Sequence, residues 1–266
     1  MIRIGRRSSG LSLLCRLLGL GTAAALATSC LSKEAHDDTH WGYTGEEGPS
    51  HWAELDPDYV LAALGGSQSP IDIVTEDVIT ADLPPVALKT QPVPLRMRNT
   101  GHTLEVIAPG GSTLRYGKHE FVLTQYHFHA PSEHTIDGQQ AAAELHLVHA
   151  DGAGQLAVVG VLVEEGEEDN PFFLSFVETD APEEPGEEKV FPGVLVDIAH
   201  VFDTCHDYFM YDGSLTTPPA TEGVRWFVCA EPRVISTRQL EVLRHLYFRN
   251  NRPIQPAHAR TVLTPR

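Results

Sequence analysis

The chain is 266 residues long, 42% hydrophobic and 21% charged, which allows a sizeable core and excludes global disorder. Nineteen Lys and Arg against 36 Asp and Glu give a formal charge of −17, and loss of residues 1–29, which carry four arginines and no acid, takes it to −21. Such an acidic chain excludes nucleic acid as a partner, because phosphate binding rests on a basic face.

The first thirty residues read as a targeting segment. Arg3, Arg6 and Arg7 make a positive start, residues 11–27 are apolar and small apart from Cys15 and Arg16, and Ala27-Thr28-Ser29 offers small residues for cleavage. That is the layout of an export signal, too short and too interrupted for a permanent membrane span. Cys30 follows at once, so a lipoprotein-type site acylated at Cys30 is expected, with ordinary cleavage nearby as the plainer alternative. Arg6-Arg7 lacks the apolar residues that a twin-arginine signal needs after the pair. Residues 30–38 would be a tether, and 39–266 one domain held in the periplasm or cell envelope, anchored to the membrane through the lipidated cysteine. Two cysteines remain, Cys205 and Cys229. An oxidising compartment permits a bridge between them, and a pair of buried thiols fits the sequence equally well.

Within the domain, short β-rich runs dominate, at 103–107, 113–116, 120–129, 142–149, 156–163 and 224–228, separated by turn residues such as Pro109-Gly110-Gly111 and Asp151-Gly152. The acidic stretches 164–169 and 183–188 read as solvated loops. Asn170-Pro171 predicts a short helix through Val177, with proline at its first position. Ser236 followed by Gln239 is a capping-box pattern ahead of Leu240, Leu243 and Leu246. The fold class is mainly β with short peripheral helices.

Two strands concentrate unusual chemistry. Period 2 over 121–129 puts Phe121, Leu123, Gln125, His127 and His129 on one face and Val122, Thr124, Tyr126 and Phe128 on the other, both apolar enough for burial. In the second run Glu144, His146 and Val148 share a face, with Leu145 and Leu147 opposite. Buried imidazoles need partners, because an unpaired buried polar group costs roughly 2–7 kcal/mol. His127, His129 and His146 together make a three-nitrogen metal site, which leaves a fourth tetrahedral position of zinc open to water. Gln125 and Glu144 each stand two residues before a histidine on its own face, placed to accept the ring N–H that does not face the metal. Farther on, Gly213-Ser214-Leu215-Thr216-Thr217-Pro218-Pro219 is a segment stiffened by its prolines.

These segments resemble the α-class carbonic anhydrases. The blocks are His127-Phe128-His129, Ser132-Glu133-His134-Thr135, Ala143-Glu144-Leu145-His146-Leu147-Val148-His149 and the Ser214 to Pro219 loop. His40-Trp41-Gly42-Tyr43, Gln68-Ser69-Pro70-Ile71-Asp72-Ile73, Asn99-Thr100-Gly101-His102 and Asn251-Arg252-Pro253-Ile254-Gln255-Pro256 join them in the family's order. The resemblance implies a large, twisted, mostly antiparallel sheet of about ten strands and one Zn2+ per chain on His127, His129 and His146. It implies reversible hydration of carbon dioxide to bicarbonate by zinc-bound hydroxide. Gln125 and Glu144 would orient His127 and His146. Thr216 would accept from the hydroxide and donate to Glu133, and His102 would shuttle the proton to buffer, histidine being a side chain that ordinarily titrates near neutral pH. Val148, Val158, Leu215, Thr217, Val224 and Trp226 would form the substrate pocket, and Tyr43 would belong to a water network. A monomer or a homodimer is expected.

The sequence also departs from the family. Exported bacterial members commonly bridge a cysteine before the Gln-Ser-Pro block to one just after the Pro-Pro pair; here that second position is Ala220. Packing must therefore stiffen the Thr216 loop. Asn251 replaces a frequent aromatic, and Glu105 stands where a neutral polar residue often lines the cavity. Two rival readings exist. A cupin-like site would use His127, His129 and Glu133, but Phe121 and Gln140 occupy its glycine positions and Glu144-x-His146 is left unexplained. A non-catalytic binding lipoprotein would typically carry a damaged ligand set, and this one is intact.

Overall fold

The computed structural model describes residues 39–108, 111–202, 205–247 and 249–266. The leader, Cys30 and the tether lie outside the described residues. Eight strands frame the functional region: β1 (Val93–Asn99), β2 (Leu104–Ile107), β3 (His119–His129), β4 (Ala143–Ala150), β5 (Leu156–Gly166), β6 (Glu188–Val196), β7 (Tyr208–Ser214) and β8 (Glu222–Cys229). They belong to a 13-stranded sheet whose main path runs β6-β1-β2-β3-β4-β5-β8-β7 and continues through Leu263–Pro265 to Ile79–Ala81. That path has ten strands, as expected. Antiparallel pairing dominates; β5 is parallel to β8 and to Arg233–Ser236, and the two short terminal strands are parallel to each other.

The sheet separates two apolar cores. The larger gathers Leu145 and Leu147 of β4, Val159 and Val161 of β5, Tyr126 and Phe128 of β3, and two helices. Helix α1 (Pro171–Val177) starts where proline fixes φ and the Asn170 side chain accepts from Phe172 N, and it buries Phe172, Phe173 and Phe176. Helix α2 (Thr237–Leu246) carries both halves of the predicted Ser236–Gln239 capping box and buries Leu240 and Leu243. On the opposite face a smaller core forms around Val158, Tyr211, Val224, Trp226 and Val228.

Strand β3 departs from the simple period-2 reading. Val148 pairs with Gln125 but His149 with Leu123, so Thr124 is an extra residue, a β-bulge. The bulge reverses the faces. Phe121 and Leu123 join Tyr126 and Phe128 in the large core, Val122 and Thr124 are exposed, and only Gln125, His127 and His129 turn to the other side. The acidic stretches are not wholly loops either: Glu164 and Glu165 lie among the last paired residues of β5, and Glu188 opens β6 opposite Arg98 and in an ion pair with Arg96. Strands β1, β6 and β7 fall outside the predicted runs. In β6, Pro192 and Gly193 sit where its register to β1 breaks, a fault that an edge strand tolerates.

Cys205 and Cys229 form a disulfide with Cα atoms 5.2 Å apart, which settles the alternative left open by the sequence. It ties the approach to β7 to the end of β8, on the large-core side. No helix among the described residues is long and apolar enough to cross a membrane.

Candidate metal centre

One row of directly paired residues crosses the sheet: Arg98 of β1, Glu105 of β2, His127 of β3, His146 of β4, Gly160 of β5 and Val228 of β8. Residues directly opposite one another on paired strands share a face, so this row brings chemistry from six strands to one side of the sheet. His129, two residues along β3, joins it. The three imidazoles of His127, His129 and His146 each offer a nitrogen within 4.8 Å of the other two.

Each ring is held from behind. Gln125 Oε1 accepts from His127 Nδ1 at 2.8 Å, the Asn250 carbonyl from His129 Nδ1 at 2.6 Å, and Glu144 Oε1 from His146 Nε2 at 2.9 Å. These partners assign the tautomers and leave His127 Nε2, His129 Nε2 and His146 Nδ1 as the inward nitrogens. His129 Nε2 is buried with no protein partner, the condition of an atom built to bind something else. Burial pushes the His127 and His129 rings down, His129 to about 4, so they are neutral, the form that ligates a metal. Three nitrogens with fixed tautomers on one buried wall fit zinc.

Glu144 organises the floor. Its carboxylate is fully buried and accepts four bonds: from the backbone N–H of Glu133 and of His134, from His134 Nδ1 at 2.7 Å, and from His146. Burial works against its charge, but His134 and His146 overcome that and hold its carboxyl well below the usual range. His134 Nε2 in turn accepts from Tyr211 Oη at 2.6 Å, whose oxygen lies 2.9 Å from Ser69 Oγ. The second cluster of potential metal donors, His134, Glu144 and His146, is thus a satisfied hydrogen-bond relay.

Glu133 lies beside the centre. Its Oε1 accepts from Arg252 N at 2.7 Å, Oε2 lies 3.5 Å from His129 Nε2 without a hydrogen-bond partner, and the Thr216 hydroxyl stands near enough to draw the carboxyl down. Burial raises its carboxyl to about 7 against the pull of His146, Arg252 N and Thr216. The Thr216 loop is clamped to the chain near Ser69. Ser69 N donates to Ser214 Oγ, Ser214 N to Ser69 Oγ, Gln68 Nε2 to the Ala220 carbonyl and Trp226 Nε1 to the Ser214 carbonyl. Gly213 makes this approach feasible, since a Cβ there would collide with Ser69 Oγ, Tyr211 and Trp226. Hydrogen bonds therefore fasten Ala220, where a family bridge would otherwise stand.

Above the histidines opens a cavity of about 190 Å³ lined by Trp41, Tyr43, His102, Glu105, Gln125 and Thr217 among others. His102 stacks on Trp41 with ring centroids 3.6 Å apart and donates from Nε2 to the Trp41 carbonyl at 2.8 Å. Tyr43 Oη is buried without a protein partner, and burial followed by the charge of Glu133 pushes its hydroxyl up. Val158, Val224 and Trp226, with Val148 and Leu215 packed against them, belong to the smaller apolar core, and the Trp226 ring lies 4.9 Å from that of His146.

Of the candidates, Tyr43, His102, Gln125, His127, His129 and Thr217 line this cavity, and His146, Glu133, Glu144 and Trp226 lie against its histidines, whereas Val148, Val158, Leu215 and Val224 sit in the smaller core and outside the cavity lining. Sequence reasoning missed the Asn250 carbonyl, which leaves no side-chain signature, and Gly160. It missed the role of His134 although that residue stands inside a quoted block. Arg252 was likewise quoted without a role; it is buried, donates to Gln68, Ser69 and Ala62, and stacks over Trp52.

Residues 47–266 match the family model described as eukaryotic-type carbonic anhydrase. A protein from Nostoc named carbonic anhydrase is 37% identical over 254 residues, covering 94% of this chain and 96% of its own. Another from Pectobacterium atrosepticum, also so named, is 35% identical over 92% of this chain and 99% of its own. Among solved structures, the α-carbonic anhydrase of Thermovibrio ammonificans in complex with the inhibitor sulfanilamide superposes with a TM-score of 0.80 at 43% identity, covering 85% of this chain and 99% of that one.

Proposed function

The chain is an enzyme of the eukaryotic-type carbonic anhydrase family, and we propose that it hydrates carbon dioxide reversibly with one zinc on His127, His129 and His146. The observation that carries this reading is the convergence of three inward nitrogens whose outward partners are all satisfied by Gln125, Asn250 and Glu144. When bound, zinc supplies a Lewis acid that acidifies water and offsets developing negative charge.

The protein's own groups do the rest. The apolar side chains of Val148, Val158, Leu215, Val224 and Trp226, which pack together beside His146 through Trp226, would take up a small molecule without a dipole and offer it no competing hydrogen bond. Thr217 lines the cavity. In this reading Thr216 directs its proton to Glu133, so that its hydroxyl oxygen presents a lone pair and accepts a hydrogen bond from the attacking oxygen, fixing the direction of attack. The product proton leaves through cavity water near Tyr43 to His102, which must exchange its bond to the Trp41 carbonyl for one to that water.

Export and acylation at Cys30 are part of the same proposal, supported by the residue pattern of 3–30; mass spectrometry of the mature N-terminus tests them. The reaction is tested by stopped-flow carbon dioxide hydration with a pH indicator across about pH 6 to 9, the range in which an acidified water titrates. Fast turnover that rises with pH is expected. Protein that holds one zinc and gives no rate above buffer would overturn the reading.

A further inference from the structure

Glu105 is the one acidic side chain among the described residues lining the cavity above the histidines. It sits directly opposite His127 in the ladder, and cross-strand partners hold their Cβ atoms about 5 Å apart. On its other side it is opposite Arg98, and the two form an ion pair at 2.6 Å. The pair has a direction. The Glu105 side chain is 14% exposed and lines the cavity, whereas Arg98 is 45% exposed and does not. The negative end thus faces the metal centre and the positive end faces solvent.

Three neutral imidazoles leave a bound divalent cation with its full charge, which attracts small anions as well as water. Carbon dioxide carries no charge, so a carboxylate in the wall acts on anions and leaves the neutral substrate alone. Resting on the zinc reading above, we propose that Glu105, its charge only partly offset by Arg98, is a specificity-determining residue that disfavours small monoanions, the product bicarbonate included, at the metal centre. Arg98 offsets that charge only in part, because the guanidinium stands on the solvent side, where screening is stronger.

The test uses protein in which cobalt replaces zinc, titrated with thiocyanate at fixed pH and followed by the visible spectrum of the metal. Glu105→Gln should tighten thiocyanate binding about 3- to 10-fold, the size expected of one partly screened charge. Arg98→Ala should weaken it about 2-fold or more, and opposite signs exclude a common loss of structure. Both effects should shrink as ionic strength rises. Unchanged or weaker binding in Glu105→Gln, or tighter binding in Arg98→Ala, overturns this inference while leaving the zinc site standing. A parent protein whose spectrum ignores thiocyanate altogether overturns both.

Discussion

Gly160 stands opposite His146 in the ladder, and a Cβ built on it would come within 2.8 Å of Glu144 Oε1. The missing side chain is what lets the Glu144 carboxylate lie beneath the imidazole it orients. Nor can that carboxylate move aside cheaply, because its two oxygens hold four hydrogen bonds and no water replaces them in a fully buried site.

Gly160→Ala should therefore displace Glu144 and loosen His146 without unfolding the sheet, since alanine is tolerated on an interior strand. Zinc affinity is expected to fall about 10- to 100-fold, the usual effect of disturbing a partner of a metal ligand. Competition with a chromophoric chelator measures it. An affinity equal to that of the parent would mean that the carboxylate has room to spare.

Thr216→Val keeps the shape of the side chain and removes the hydroxyl proposed above to donate to Glu133. The expected result is a fall of about 10²- to 10³-fold in kcat/KM, comparable to loss of one oriented hydrogen bond in a transition state, with zinc content unchanged. Steady-state hydration kinetics and metal analysis on the same sample check both halves.

Much of this was legible in the sequence because local rules govern it. The Ser236–Gln239 box and the Asn170-Pro171 helix start depend on neighbours within a turn, and both appear in the structure. Glu144, His146 and Val148 alternate with Leu145 and Leu147 as a strand requires, with the leucines in the large core. What was not legible depends on distant chain. The bulge at Thr124 is a shift in the pairing of β3 with β4, so the faces of Phe121 and Leu123 could not be read from spacing. The partner of His129 is a backbone carbonyl 121 residues away. The Cys205–Cys229 bridge follows from the antiparallel pairing of β7 and β8, in which Tyr208 meets Cys229, and from nothing in the spacing of the cysteines.

His102 is held against Trp41 by stacking and by a hydrogen bond from Nε2. If it relays the product proton, His102→Ala should lower kcat at low buffer by at least about 10-fold, the lower end for a positioned acid–base group with water still able to compete. Added imidazole should restore most of the loss, since a diffusible ring replaces the tethered one. A kcat that is insensitive to imidazole would remove His102 from the relay.

His149 gives the fold a sensitivity to acid that is separate from the metal centre. It follows the register shift on β4, is fully buried, and donates from Nδ1 to the Leu147 carbonyl while Nε2 finds no partner. Burial pushes the ring down to about 4 from an ordinary value of 6.5. The unfolded chain therefore binds a proton between those values when the folded chain does not, and stability rises with pH across that window. The contribution is complete above pH 6.5 and is lost as the pH falls through 4, a total of about 3 kcal/mol at 1.36 kcal/mol per unit. In urea unfolding at about pH 7 and pH 4.5, the parent should lose about 2 kcal/mol more than His149→Gln, which keeps an N–H for Leu147 but cannot titrate. Parallel losses in the two proteins would place the acid sensitivity elsewhere in the chain.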